Sequence, residues 1–251
     1  MKNYLVIQHT YSEFLGPVEA QLESRDIGFS YARPFTGQEM PGSALHFDGL
    51  WMLGGAYPLT DTENCPWLDQ EMRLIGIFKH AKRPIVGIGF GGLLLAQYEG
   101  GTATAEPRYT AYWTTAHKTE AGKDDKLANA VDGKRVFVMY DGHVKLPQGM
   151  EPIVVDDDGN WLAIKPDPFS YGMLFRPEMK PGMIEDMIME DNRPLPDNIG
   201  DILAQSRLEW PEMQKVKDAI IVALVQGLDL MQERRKSPIF SLKVVSEQDG
   251  E

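Results

Sequence analysis

The 251-residue chain has a single cysteine, Cys65, so no intrachain disulfide can form and a cysteine-based metal site is excluded. No apolar run approaches the roughly 18–20 residues of a membrane-spanning helix. Met1 to Tyr4 leads straight into a strand-like segment with no apolar signal region before it. A cytoplasmic protein without membrane association is the expectation. Basic residues are scarce: 25 Lys and Arg against 37 Asp and Glu give a net charge of −12. Such a balance repels a phosphate backbone and argues against nucleic acid as a partner. The five histidines, His9, His46, His80, His117 and His143, show no metal-ligand spacing, so no metal is expected. There is no Gly-x-Ser-x-Gly to support a serine hydrolase, no internal repeat, and no Ser/Gly-rich or Pro-rich linker.

With 43% hydrophobic and 25% charged residues, the composition is that of an ordinary globular chain, long enough for one substantial core. We expect one domain over residues 1–235 and a polar C-terminal tail over 236–251. Within the tail region Ile239–Val245 reads as an edge strand or a partner-binding segment.

The apolar run Tyr4–His9 reads as a buried parallel strand. A short helix over Pro17–Glu23, strands at Ile27–Ala32 and Gly49–Leu53, and a helix opened by Pro66 follow in order. The stretch from Thr102 to Val155 changes character, with strand-like pieces at Thr110–Thr115, Val136–Met139 and Ile153–Val155 joined by polar turns. It predicts a small antiparallel region. Trp161–Ile164 and Tyr171–Phe175 could form a hairpin returning to the sheet. Helices are expected over Pro181–Glu190 and Pro211–Met231. The βα alternation of the first hundred residues predicts an α/β fold with a mostly parallel central sheet flanked by helices.

Most of the functional information lies in residues 84–97. An apolar run (Ile85, Val86, Ile88) meets a glycine cluster (Gly87, Gly89, Gly91, Gly92), and a second apolar stretch begins at Leu93. This reads as strand, tight turn and helix N-terminus, where ligands and nucleophiles sit in open α/β sheets. Taken alone, the turn could be a plain strand–helix connection in an unrelated α/β protein. As a dinucleotide fingerprint it has the wrong third-glycine spacing.

Gly87-Ile88-Gly89-Phe90-Gly91-Gly92-Leu93 resembles the nucleophile elbow of class I glutamine amidotransferases, nearest to the stand-alone type similar to GMP synthase. Gly54-Gly55 is similar to the family turn that donates an oxyanion-hole N–H. Pro66-Trp67-Leu68 before a helix adds to the match, and Tyr171–Glu178 resembles the family's Gly-x-Gln-Phe-His-Pro-Glu strand end. The resemblance covers roughly residues 4–190 and implies a flavodoxin-like class I amidotransferase fold. It places Gly89 at the nucleophile position, Arg176 at the histidine position, Glu178 at the retained glutamate, and Gly55 and Phe90 at the oxyanion hole or a ligand-binding equivalent. The family's glutamine-contacting Gln falls on Leu93.

These departures bear directly on activity. The family mechanism needs a thiolate to attack the glutamine carboxamide and an imidazole to move the proton. Glycine supplies no nucleophile, and arginine stays protonated and cannot act as a general base. The expectation is a degenerate member unable to hydrolyse glutamine by the Cys-His-Glu route, with no cofactor. A regulatory or scaffolding role, docking on a synthetase-like partner subunit, and binding of a small anionic ligand at Arg176 are the roles then open. In a blander reading Arg176 folds onto Glu178 and fills the site. The alternative is an active amidotransferase or γ-glutamyl-amide hydrolase with a non-standard nucleophile, for which Cys65 or an activated water is the candidate. Asp141-Gly142-His143 stands where related amidotransferases often carry His-Gly-Asp, and is expected to be a surface loop.

Overall fold

A computed structural model describes residues 2–190 and 195–232. Its centre is an eight-stranded sheet. The first four strands are β1 (Lys2–Ile7), β2 (Ile27–Ala32), β3 (Gly49–Met52) and β4 (Ile85–Ile88). Among these, β1, β3 and β4 are short runs buried along almost their whole length, as parallel strands covered on both faces must be. Helix α1 (Pro17–Glu23) links β1 to β2, α2 (Leu68–His80) links β3 to β4, and α3 (Phe90–Tyr98) leaves the elbow after β4.

The middle of the chain adds β5 (Thr102–Thr104), β6 (Thr110–Thr115), β7 (His117–Lys118), α4 (Lys126–Val131), β8 (Arg135–Tyr140), β9 (His143–Lys145), β10 (Val154–Val155), β11 (Trp161–Asp167) and β12 (Ser170–Met173). The sheet runs β2-β1-β3-β4-β12-β11-β10-β7. Its first five members are parallel, and the last three are joined antiparallel. The parallel part has the 2-1-3-4-5 order of flavodoxin-like folds, with β12 in fifth place. Two separate antiparallel pairs, β5–β9 and β6–β8, supply the expected antiparallel region. The expected hairpin also forms: β11 turns into β12, which then lies parallel to β4.

Two helices close the described fold, α5 (Pro181–Met189) and α6 (Ile199–Gly227). Helix α6 differs from the sequence reading, which began it at Pro211. The observed helix starts twelve residues earlier and carries Pro211 in its interior. An interior proline costs about 3 kcal/mol through its missing N–H and ring clash. Burial of Ile202 and Met213 on either side of it, in a cluster with Met183, Ile184 and Met187 of α5 and Phe137 and Met139 of β8, offsets that cost. The helix also ends earlier than expected, and Asp229 just beyond takes a left-handed φ of 55°. Helix α2 begins at Leu68, with Trp67 as its N-cap, rather than at Pro66. The tail 236–251, with Ile239–Val245, lies outside the described residues. Among the described residues no helix is long and apolar enough to cross a membrane.

Candidate active site

Four segments converge beyond the carboxyl ends of the parallel strands: residues 8–13 after β1, Gly54-Gly55 after β3, Gly89 after β4, and Arg176–Glu178 after β12. This is where open α/β sheets place their sites, because the chain changes direction there and leaves a crevice.

The elbow has the expected strained form. Gly89 has φ 56° and ψ −115°, conformational space that a residue with a Cβ enters only at a cost of about 1–3 kcal/mol. Its N–H donates to Met173 O at 2.8 Å and its carbonyl accepts from Leu93 N–H at 3.0 Å, so both sides of the turn are pinned. A Cβ at Gly91 or Gly92 would run into the backbone of Met52 or Met173, which lets α3 approach the sheet closely. Leu93, which the sequence resemblance assigns to a glutamine-contacting position, is buried in the apolar core.

Gly89, Arg176 and Glu178 lie together at the strand ends. A Cβ at Gly89 would lie 3.2 Å from both Arg176 Cδ and Nη1 and 3.3 Å from Met139 O. The Arg176 guanidinium thus stands directly over Gly89, the residue that the sequence resemblance assigns to the nucleophile position. Its Nε donates to Glu178 Oε1 at 2.6 Å and its Nη2 to Glu13 Oε1 at 2.8 Å, with a longer contact of 3.4 Å from Nη1 to Met139 O. All three side chains are sealed from solvent, at 1%, 0% and 0% exposure for Arg176, Glu178 and Glu13. Burial works against the arginine's charge, but the Glu178 and Glu13 carboxylates hold its pKa above the ordinary value. Burial lifts the Glu178 carboxyl in turn, against the pull of Arg176, and its Oε2 meets no hydrogen-bond partner.

Glu13 is the residue that sequence reasoning missed. It sits in a polar loop where Thr10 Oγ1 donates to its Oε2 at 2.8 Å, and no spacing pattern marks it. The only available signal was electrostatic. A fully buried arginine facing one glutamate calls for further compensation, but that requirement does not say which loop supplies it. Gly54 completes the arrangement, because a Cβ there would collide with both the guanidinium and the Glu13 carboxylate.

His9 lines the same crevice. Its Nδ1 lies 3.0 Å from Gly54 O and its Nε2 lies 3.0 and 3.1 Å from the two oxygens of Glu71, a buried residue of α2. Both ring nitrogens face acceptors, a setting that favours the imidazolium. Burial opposes that charge, yet Glu71, the Gly54 carbonyl and Glu13 together raise the His9 pKa. The ring packs against Phe90 with centroids 4.6 Å apart, and Phe90 lies over the backbone of Gly55. Gly55 and Phe90 are therefore neighbours across the elbow.

The remaining candidates fare differently. Cys65 is buried at 2% exposure in a turn where its N–H donates to Asp61 O at 3.0 Å. Burial, then the charges of Asp61, Glu71 and Asp141, push its thiol pKa up to about 12. That is the opposite of a nucleophilic cysteine. Asp141-Gly142-His143 is not the surface loop expected. Asp141 is buried and accepts from Arg108 Nε at 2.7 Å, while the His143 ring lies 5.9 Å from those of both Tyr140 and Trp161. Burial of its own ring lowers the His143 pKa. No group of three or more His, Cys, Asp or Glu residues suited to a metal ion occurs among the described residues.

This fold, with an elbow after β4 and a strand-end glutamate after β12, is the fold of class I glutamine amidotransferases. The sequence is 30% identical over 125 residues to the putative glutamine amidotransferase-like protein YfeJ of Salmonella typhimurium. That match covers 49% of this chain and 52% of the relative, so it spans about half the length of each. The glutamine amidotransferase from Methylobacillus flagellatus superposes with a TM-score of 0.76 at 21% identity, over 91% of this chain and 96% of that one. A putative GMP synthase subunit from Thermoplasma acidophilum superposes with a TM-score of 0.52 at 15% identity, over 86% of this chain and 98% of that one. No family model matches the chain.

Proposed function

We propose that this chain is a non-hydrolysing class I glutamine amidotransferase-like protein, serving as a regulatory or scaffolding subunit rather than as a glutaminase. One observation carries the reading. The place of a catalytic imidazole is taken by Arg176, locked between Glu13 and Glu178 over a glycine that has no nucleophile. A guanidinium in that setting cannot accept a proton, and it blocks the approach of a carboxamide to the elbow. Binding of a small anion at Arg176 loses support from the same geometry. Two carboxylates already outnumber its single charge, so an incoming anion would meet net repulsion. What remains is docking on a synthetase-like partner, a reading supported by the fold shared with a GMP synthase subunit.

The test is a glutamate-release assay on glutamine and on γ-glutamyl amides, run on the parent and on Cys65→Ser. Neither is expected to turn over substrate. Activity lost in the Cys65→Ser protein would overturn the reading in favour of a displaced nucleophile.

A further inference from the structure

The two edges of the central sheet are built differently. At one end β7 is two residues long and carries Lys118, a short charged edge of the kind that discourages pairing with another chain. At the other end β2 runs Ile27-Gly28-Phe29-Ser30-Tyr31-Ala32, in unbroken register with β1 and with neither proline nor charge. Its end residue shows which way its peptide groups point. Ala32 O accepts from Gln8 N–H at 3.0 Å on the β1 side, whereas the next N–H, that of Arg33, donates to Gln38 Oε1 at 2.9 Å. Peptide groups alternate along a strand, so Gly28, Ser30 and Ala32 face β1. The N–H and C=O groups of Ile27, Phe29 and Tyr31 face outward. Among the described residues no strand or side chain pairs with that outer row.

We propose that β2 is a homodimer edge, pairing antiparallel with β2 of a second copy about a two-fold axis at Phe29. In an antiparallel ladder, hydrogen-bonded pairs join residues that face each other on both strands. The register centred on Phe29 meets that condition and leaves no outward group over. Ile27 meets Tyr31 of the second copy, Phe29 meets its own counterpart, and Tyr31 meets Ile27. A register centred on Ser30 instead sets Ile27 against Arg33, whose N–H is taken by Gln38 and whose carbonyl is taken by Thr36 N–H.

The side chains fit the same register. Phe29 and Tyr31 are partly buried and stand edge to face, with centroids 5.8 Å apart. Tyr31 Oη donates to Glu19 Oε1 at 2.6 Å and accepts from Leu15 N–H at 2.9 Å, so this apolar row is held in place before any partner arrives. Charge favours a second copy over an unrelated strand. Asp26 and Arg33 flank the strand at opposite ends, and the two-fold sets the Asp26 end of each copy against the Arg33 end of the other. Arg33 Nε is bonded to the neutral Gln8 side chain, while Arg25 is folded back, its Nη1 donating to Gln21 O at 2.7 Å. Strand β2 adds no residue to the Arg176 crevice, so this inference does not rest on the reading above.

The test is sedimentation of the full chain from dilute to concentrated protein, with amide exchange followed residue by residue. The parent is expected to pass from monomer to dimer mass. In the dimer the amides of Ile27, Phe29 and Tyr31 are expected to exchange about tenfold more slowly than in the monomer, with Gly28, Ser30 and Ala32 protected in both. Phe29→Pro removes an N–H that β1 does not use, a change that an edge strand accommodates. It is expected to keep the circular dichroism of the parent and to sediment as a monomer. Arg33→Glu sets like charges against Asp26 and is expected to weaken the dimer about tenfold. A parent that stays monomeric at every concentration would overturn the proposal, as would a dimer that persists unchanged in Phe29→Pro. Protection of Ile27, Phe29 and Tyr31 that does not depend on concentration would also overturn it, because the edge would then be covered within one chain.

Discussion

Arg176 Nε donates to Glu178 Oε1 at 2.6 Å, two residues along the same strand end, with both groups shut away from solvent. The sequence resemblance to class I glutamine amidotransferases assigns these two residues to the positions of a histidine and its glutamate. Here the same two positions form an ion pair, and Glu13 supplies a second carboxylate from across the crevice.

The Gly89 turn should resist substitution. Gly89→Ala forces a side chain into φ 56° and places a Cβ 3.2 Å from Arg176 Cδ. A loss of about 1–3 kcal/mol is expected from backbone strain, read as a lowered midpoint in urea denaturation. A change below about 0.5 kcal/mol would show that the elbow is not strained.

Cys65 should behave as an inert core thiol. With its pKa pushed up to about 12, it is expected to react with a thiol reagent at neutral pH only as fast as the native state opens. Labelling in native buffer is expected to be slow and to accelerate sharply in urea. Rapid native labelling would contradict the burial described.

Stability should fall as pH rises above neutrality. The folded His9 pKa is raised above its unfolded value, so its contribution is fully present below about pH 6.5 and is lost as pH climbs through the folded value. Glu178, also raised by burial, acts with the same sign from the ordinary carboxyl range upward. Urea midpoints measured from pH 6 to 8 are expected to decline in the parent and to decline less in His9→Gln. An equal slope in both proteins would remove His9 from the account.

Much of this architecture can be read from the sequence because its signals are local. The α1 and β2 limits, the β6 strand and the glycine elbow each carry their own signature of apolar runs, proline or glycine. The misreadings arise where tertiary contacts outweigh local chemistry. Pro211 looks like a helix start, yet Ile202 and Met213 find a shared apolar partner surface that carries the helix through it. Asp141 looks like a loop residue because its partner, Arg108, is 33 positions away. The Arg176–Glu178 pairing follows from adjacency, whereas Glu13 reaches Arg176 across 163 residues with no pattern to announce it.

The central claim is that Arg176 is a structural cation held by Glu13 and Glu178, and a stability cycle tests it most directly. Arg176→Met leaves two carboxylates buried without their counter-charge and is expected to cost about 3–5 kcal/mol in urea denaturation. Adding Glu13→Gln and Glu178→Gln to that variant removes the uncompensated charge and is expected to recover much of the loss, a clear departure from additivity. If Arg176→Met costs under about 1 kcal/mol, or if the three substitutions simply add, Arg176 is not bound into the fold in this way and the account fails.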